Sequence, residues 1–272
     1  MSLFLQTFIS GESEAMLGRF LPHYPREDFV IATKVGRYEK TPKEMFDFSS
    51  SKTMKSVHKS IDLLGVDYLD IVQVHDVEFA PSIEVILNET LPALDRLKHQ
   101  GKLKMIGITG YPLEPINEII EKSEVQIDMV LSYARGTLAD QKLNQYLTSW
   151  KKRGLFVVNA SPLAMGLFRA DGPQDWHPGN KPLKDEVREC INLCQERGHN
   201  ISRLALRYAM DKIDADVVLC GTSRVKVFNQ PGPWYQSIPL LTFPFAFSLK
   251  LEDIWTSYKL SWQSLELTFR LT

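Results

Sequence analysis

Two short apolar runs each end on a reactive side chain. Phe29-Val30-Ile31-Ala32-Thr33 leads into Lys34, and Tyr68-Leu69-Asp70-Ile71-Val72-Gln73-Val74 leads into His75. Both runs are nearly continuously apolar and rich in β-branched residues, the pattern of strands buried in a parallel sheet. A lysine and a histidine at the C-terminal ends of successive parallel strands occupy the face on which βα-barrels carry their catalytic groups. His75-Asp76 also joins two metal-ligand types. Adjacent strand residues project to opposite faces, however, and no third ligand is apparent, so no metal site is expected. His23, His58, His99 and His199 fall on expected surface helices or loops and carry no functional expectation.

The elements that would position this pair alternate regularly. Strands are expected over 29–34, 69–75, 104–109, 127–133, 155–160 and 216–220. Helices are expected over 52–64, 89–100, 113–122, a stretch ending before Gly154, 183–197 and 202–212. In the first helix Met54, Val57, Ile61 and Leu64 share a face. Leu91, Leu94 and Leu97 line the second, which stops at Gly101, a C-terminal glycine. Ser202 is the expected N-cap of the last helix. Six strands joined by helical crossovers require a parallel sheet. No Gly-x-Gly-x-x-Gly turn follows any strand, so a closed barrel is favoured over a doubly wound open sheet. Residues 1–9 could add one strand without a preceding βα unit. After Val225 the rhythm stops, and Pro231-Gly232-Pro233 prevents a helix where the next one is due.

Composition narrows the class of function. With 32 basic and 33 acidic residues mixed along 272, the net charge of −1 gives no footprint for nucleic acid or a membrane surface. Three cysteines, Cys190, Cys194 and Cys220, make no disulfide framework, and Cys190 and Cys194 are expected to face a core at i, i+4. No apolar run has transmembrane length and the first residues lack a basic leader segment, so a cytoplasmic protein is expected.

Several stretches in order resemble the aldo-keto reductase family, most closely its L-galactose dehydrogenase-like branch. They are Ser13-Glu14-Ala15-Met16-Leu17-Gly18, Ala32-Thr33-Lys34-Val35-Gly36, Asp70-Ile71-Val72-Gln73-Val74-His75-Asp76-Val77-Glu78-Phe79 and Thr90-Leu91-Pro92-Ala93-Leu94. Gly101-Lys102 with Ile106-Gly107-Ile108-Thr109-Gly110-Tyr111-Pro112, and Asn159-Ala160-Ser161-Pro162-Leu163-Ala164-Met165-Gly166, complete the set. The resemblance runs from about residue 11 to about residue 225. It implies a (β/α)8 TIM barrel that binds NADP or NAD without a Rossmann domain. It also implies hydride transfer between the nicotinamide and an aldose, aldehyde or sugar hydroxyl. Of the family's Asp, Tyr, Lys and His tetrad, Lys34 matches the lysine and His75 the histidine. Thr109, Gly110, Ser132, Tyr133, Ser161, Leu163, Gly221, Thr222 and Ser223 match positions around the cofactor.

The resemblance also shows departures. The family's Asp-x-x-x-x-Tyr precedes the Ser-Glu-x-x-Leu-Gly helix, whereas Leu5-Gln6-Thr7-Phe8-Ile9-Ser10 stands here, and neither Tyr24 nor Tyr38 matches. On this resemblance the first βα unit is expected to be missing and the last helix to be replaced by Asn229-Gln230-Pro231-Gly232-Pro233. An incomplete barrel over 1–225 with an aromatic-rich tail over 226–272 is therefore expected, the tail being a surface for self-association. The alternative to an active reductase is an impaired splice form or incomplete gene product that retains binding at most. The loop 171–178 is a candidate substrate lid with Trp176 either as a pocket wall or packing the loop down.

Overall fold

A computed structural model describes residues 3–6, 12–39, 41 and 45–221. Seven strands are present among them: β1 (Leu3–Gln6), β2 (Phe29–Val35), β3 (Leu69–Val74), β4 (Leu103–Gly110), β5 (Met129–Tyr133), β6 (Phe156–Ala160) and β7 (Val217–Leu219). The helices between them are α1 (Glu12–Gly18), α2 (Ser50–Leu64), α3 (Ile83–Val85), α4 (Leu91–His99), α5 (Leu113–Lys122), α6 (Asn144–Lys152), α7 (Lys181–Glu196) and α8 (Ile201–Lys212). Strand order in the sheet follows chain order. β1 pairs β2, β2 pairs β3 and β3 pairs β4 in parallel, as β6 does β7. This is the α/β succession of a (β/α)8 barrel with seven of its strands among the described residues. β1 adds a strand to the six expected over residues 29–220.

The chain divides into two compact units, Met1–Leu131 with Ser149–Val157 and Ser132–Thr148 with Val158–Thr272. In the first unit the strand interiors are fully buried: Ile31, Val35, Val72, Val74, Ile106 and Ile108 have no exposed surface. α4 buries the face expected of it, Leu91, Leu94 and Leu97, and α5 buries Leu113, Ile116, Ile119 and Ile120. α2 differs by about one position. Its buried line is Thr53, Val57, Ser60 and Leu64, with Met54 and Ile61 half-buried beside it. Helical structure also begins before α4, with α3 and a π-turn over Ile86–Thr90. Pro92 has no N–H to return to the carbonyl four residues back, which accounts for the loosened turn ahead of it. Gly101 closes α4 with φ of 72°, and Lys102 N–H donates to Leu97 O at 2.9 Å, a Schellman-type end.

The second unit has its own apolar cluster, in which Leu167, Phe168, Leu183, Val187, Ile191, Cys194, Leu204 and Ala205 pack together. Cys194 is buried and Cys190 half-buried, close to expectation; Cys220 is exposed. The N-cap of α8 is Asn200, whose Oδ1 accepts from Ser202 and Arg203 N–H, and not Ser202. The Ser202 hydroxyl donates instead to Phe168 O at 2.8 Å, tying the helix start to the cluster. Among the described residues no helix is long and apolar enough to cross a membrane. Thr222, Ser223 and the tail at 226–272 lie outside the described residues, as do residues 7–10, where the family's tetrad tyrosine would be sought.

Candidate active site

Lys34 is the penultimate residue of β2 and His75 the first residue beyond β3. The register places Lys34 beside Gln73 and Gln73 beside Gly107. Since side chains alternate, these three share one face of the sheet, and His75 and Thr109 follow on the same face two residues further along β3 and β4. Gly107 leaves room for the buried Gln73, since a Cβ there would stand 3.0 Å from Gln73 Cγ. His75 N–H continues the ladder to Val35 O at 2.8 Å, fixing the imidazole level with the end of β2.

The chain turns sharply at Asp76, with φ of 53° and ψ of 59°. That left-handed turn takes Asp76 out of strand alternation. Its Oδ1 therefore comes within 3.4 Å of His75 Nε2, against the sequence expectation that the two side chains diverge. Asp76 Oδ2 is 3.3 Å from the Arg37 guanidinium. Arg37 is delivered by the loop after β2, which closes on itself through Tyr38 N–H to Met45 O and Asp47 N–H to Gly36 O. Gly36 has φ of 104°, and a Cβ there would meet the Phe48 ring at 2.6 Å. The Arg37 guanidinium also lies 5.6 Å from the centre of the Phe46 ring, which stacks on Phe79 at 4.5 Å. Phe46 and Phe48 line a cleft of about 570 Å³ with Ser49, Lys52, Val85 and Glu89.

Burial sets the charge state of this cluster. It lowers the Lys34 ammonium to about 8, while the carboxylates of Asp76 and Glu14 pull it back up. Burial, with the positive charges of Lys34 and Arg37, drives His75 down to about 3, so the imidazole is neutral at physiological pH. Burial raises Asp76, opposed by Arg37 and Lys34. Glu78 is pushed up to about 8 by burial and by Asp76, so this carboxyl is mostly protonated at neutral pH. Its Oε1 accepts from Tyr111 N–H at 2.9 Å. Its Oε2 and His75 Nδ1 are buried without a hydrogen-bond partner.

The sequence alone assigns no role to Glu14, Asp76 or Glu78. Glu14 belongs to the Ser13–Gly18 stretch, but only the fold shows it buried and accepting the Thr33 hydroxyl. Tyr38 is separate from this arrangement: burial raises its hydroxyl above the usual range, and Lys52 Nζ lies 4.9 Å from its ring centre.

Thr109 and Gly110 end β4 in the first unit, both buried. A Cβ on Gly110 would be 2.5 Å from Glu78 Oε2, so this carboxyl closes over a bare backbone. The remaining candidates belong to the second unit. Ser132 and Tyr133 end β5, the hydroxyl of Ser132 buried and the Tyr133 side chain exposed. Ser161 and Leu163 follow β6, and Gly221 follows β7 and is exposed. Asn159, given no role from the sequence, is fully buried in β6; its Nδ2 donates to Gly136 O at 2.7 Å while Oδ1 has no partner. Ser132 Oγ is likewise buried and unpartnered. Trp176 is 65% exposed and its indole N–H donates to Gln174 Oε1. The indole thus bonds within its own loop instead of packing that loop down.

The Aldo/keto reductase family model matches residues 6–230. L-Galactose dehydrogenase of Arabidopsis thaliana is 41% identical over 216 residues, 78% of this chain and 66% of that protein. D-Arabinose 1-dehydrogenase of Saccharomyces cerevisiae is 33% identical over 229 residues, 79% of this chain and 67% of the relative. The chain thus spans about two thirds of the length of these relatives. In structure it is similar to an aldo-keto reductase of Bacillus halodurans in its holo form, with a TM-score of 0.65 at 22% identity, covering 94% of this chain and 81% of that one. A glycerol dehydrogenase of Gluconobacter oxydans gives 0.61 at 20% identity over 79% and 70%. With a family match over most of its length and the parallel βα succession to carry it, this chain belongs to the aldo/keto reductase family.

Proposed function

We propose that the protein is an NAD(P)-dependent oxidoreductase that interconverts a carbonyl and a hydroxyl on an aldose or a related small aldehyde. The observation that carries this reading is the pair of Lys34, an ammonium near its titration point, and a neutral His75 at the ends of adjacent strands. Two relatives above 30% identity, which carry the names of sugar dehydrogenases, support the sugar class. A bound nicotinamide would supply or accept the hydride at the carbonyl carbon. In the reducing direction the oxygen gains negative charge, which the Lys34 ammonium stabilises and then neutralises by giving up a proton. In the oxidising direction neutral Lys34 takes that proton from the hydroxyl. Asp76 supports the charge of Lys34 and faces His75 Nε2, which keeps the ring proton there and leaves His75 Nδ1 as an acceptor for the substrate hydroxyl in the oxidising direction.

The cofactor finds suitable chemistry in the second unit. Ser132 Oγ and Asn159 Oδ1 are unpartnered and buried near the ends of neighbouring strands. A carboxamide offers an N–H donor and a C=O acceptor that would satisfy both. Ser161, Leu163 and Gly221, with Thr222 and Ser223, would continue along the phosphates. In the first unit Thr109 and Gly110 are the candidates by resemblance, with the Glu78 carboxyl seated against Gly110.

A second reading, binding without turnover, is favoured by one observation: Leu5-Gln6-Thr7-Phe8-Ile9-Ser10 where the family has Asp-x-x-x-x-Tyr. The two readings separate in one assay. The purified chain is mixed with L-galactose, D-arabinose or the small aldehyde methylglyoxal and each of NAD, NADP and their reduced forms, and nicotinamide absorbance is followed. Saturable turnover supports the oxidoreductase; saturable NADPH binding by fluorescence without turnover supports the second reading.

A further inference from the structure

Three of the five non-glycine residues with positive φ fall in one turn among the described residues. Ser161 has φ of 59°, Ala164 of 48° and Met165 of 55°, and Gly166 follows at 90°. Such conformations are strained for a residue with a Cβ and persist only where the surroundings fix them. Part of the fixing is local: Ala164 N–H donates to Ser161 O, and Met165 N–H to Ser161 Oγ, both at 2.9 Å.

Hydrogen bonds from Leu167 N–H to Ala164 O at 3.0 Å and from Phe168 N–H to Leu163 O at 3.2 Å close the turn further, and His177, thirteen residues beyond Ala164, adds a side chain from outside it. Its side chain is 3% exposed, and Nε2 lies 3.1 Å from Ala164 O. Nδ1 accepts from Gly179 N–H at 3.0 Å, so the ring proton is on Nε2 and donates to Ala164. Gly179 adjoins Asn180, the N-cap of α7, whose Oδ1 accepts from Leu183 N–H. The spacing is close, since a Cβ on Gly179 would stand 3.0 Å from His177 Nδ1. The imidazole is thus a strut between the start of α7 and the strained turn.

We infer that His177 is a positioning residue for the dinucleotide: it holds the 161–166 turn in the shape that presents Ser161 and Leu163 to the phosphates. This rests on the reading of those two residues given under Proposed function. The strut acts through its Nε2–H bond, and that sets the test. His177→Gln can keep a donor to Ala164 O, His177→Asn keeps an acceptor for Gly179, and His177→Phe keeps only shape.

Amide hydrogen exchange over 161–167 is measured without ligand, and NADPH dissociation constants by protein fluorescence, at one pH, on variants whose circular dichroism matches the parent. Loss of one buried hydrogen bond gives about a tenfold change. The His177→Phe and His177→Asn substitutions are expected to speed exchange and weaken NADPH binding by that factor. His177→Gln is expected to stay within about threefold. Unchanged exchange in His177→Phe, or a His177→Gln protein that behaves like it, overturns the strut. A parent protein that fails to bind NADPH at all overturns the cofactor reading while the exchange series still decides the strut, so the two failures are distinguishable.

Discussion

Lys34 and His75 are held in opposite charge states by the same burial. It favours the uncharged form of both, and the carboxylates of Asp76 and Glu14 offset it for the lysine alone. If the ammonium is the proton donor in reduction, kcat/KM in that direction falls as pH rises through about 8, and the oxidising direction gains over the same range. His75, down at about 3, adds no inflection between about pH 5 and 7. A profile with its only break near the ordinary histidine value of about 6.5 would contradict this assignment.

Glu78 gives a stability signature instead. Its carboxyl titrates at about 8 when folded against its ordinary 4.5, so the folded state holds the extra proton between those values. Stability then falls as pH rises from 4.5 to about 8. Glu78→Gln keeps an acceptor for Tyr111 N–H and removes that dependence. It is expected to raise stability at about pH 8 by about 1–3 kcal/mol, read from urea unfolding at about pH 5 and 8. At this scale the placing of Lys34 and His75 at strand ends was legible in the sequence, because strand ends show in apolar runs. Asp76 was misread, because a left-handed turn is not visible in side-chain alternation. The unpartnered Ser132 Oγ and Asn159 Oδ1 depend on burial that no local pattern reports.

The strands carry different work at their two ends. At the N-terminal end of β3, Asp70 accepts from Ile31 N–H at 2.9 Å, from Arg26 at 2.6 Å and from Lys104 at 3.2 Å. Arg26 and Lys104 also flank the Tyr68 ring at 4.0 and 4.1 Å. Asp70→Ala is expected to lower unfolding free energy by about 2–4 kcal/mol while leaving KM unchanged, since it strips partners from a backbone amide and two cations. At the C-terminal end, Gly36 lets the loop after β2 turn back and bring Arg37 to Asp76. Gly36→Ala forces a Cβ into Phe48 at positive φ. It is expected to cost about 1–3 kcal/mol and also to weaken catalysis by displacing Arg37, a combination that Asp70→Ala should not show. The βα order was legible because each crossover leaves a strand run and a helical period. The N-cap of α8 and the buried line of α2 were not, since both depend on what the side chains meet across the chain.

For the whole molecule, the described residues supply seven strands of one sheet with their helices, and the family match extends over residues 6–230. A chain that binds the dinucleotide only when folded is stabilised by it. NADPH at about a hundred times its dissociation constant adds about 2.7 kcal/mol, seen as a rise in thermal midpoint that grows with ligand concentration. A midpoint indifferent to NADPH and NADH would contradict dinucleotide binding. The most direct test of the central claim is kcat/KM for sugar oxidation in the parent chain, Lys34→Met and His75→Gln, with cofactor affinity measured alongside. The account predicts saturable turnover in the parent and a loss of about 10²–10⁴ in Lys34→Met at nearly unchanged cofactor affinity. Undiminished turnover in Lys34→Met, or none in a folded, cofactor-bound parent, would contradict it.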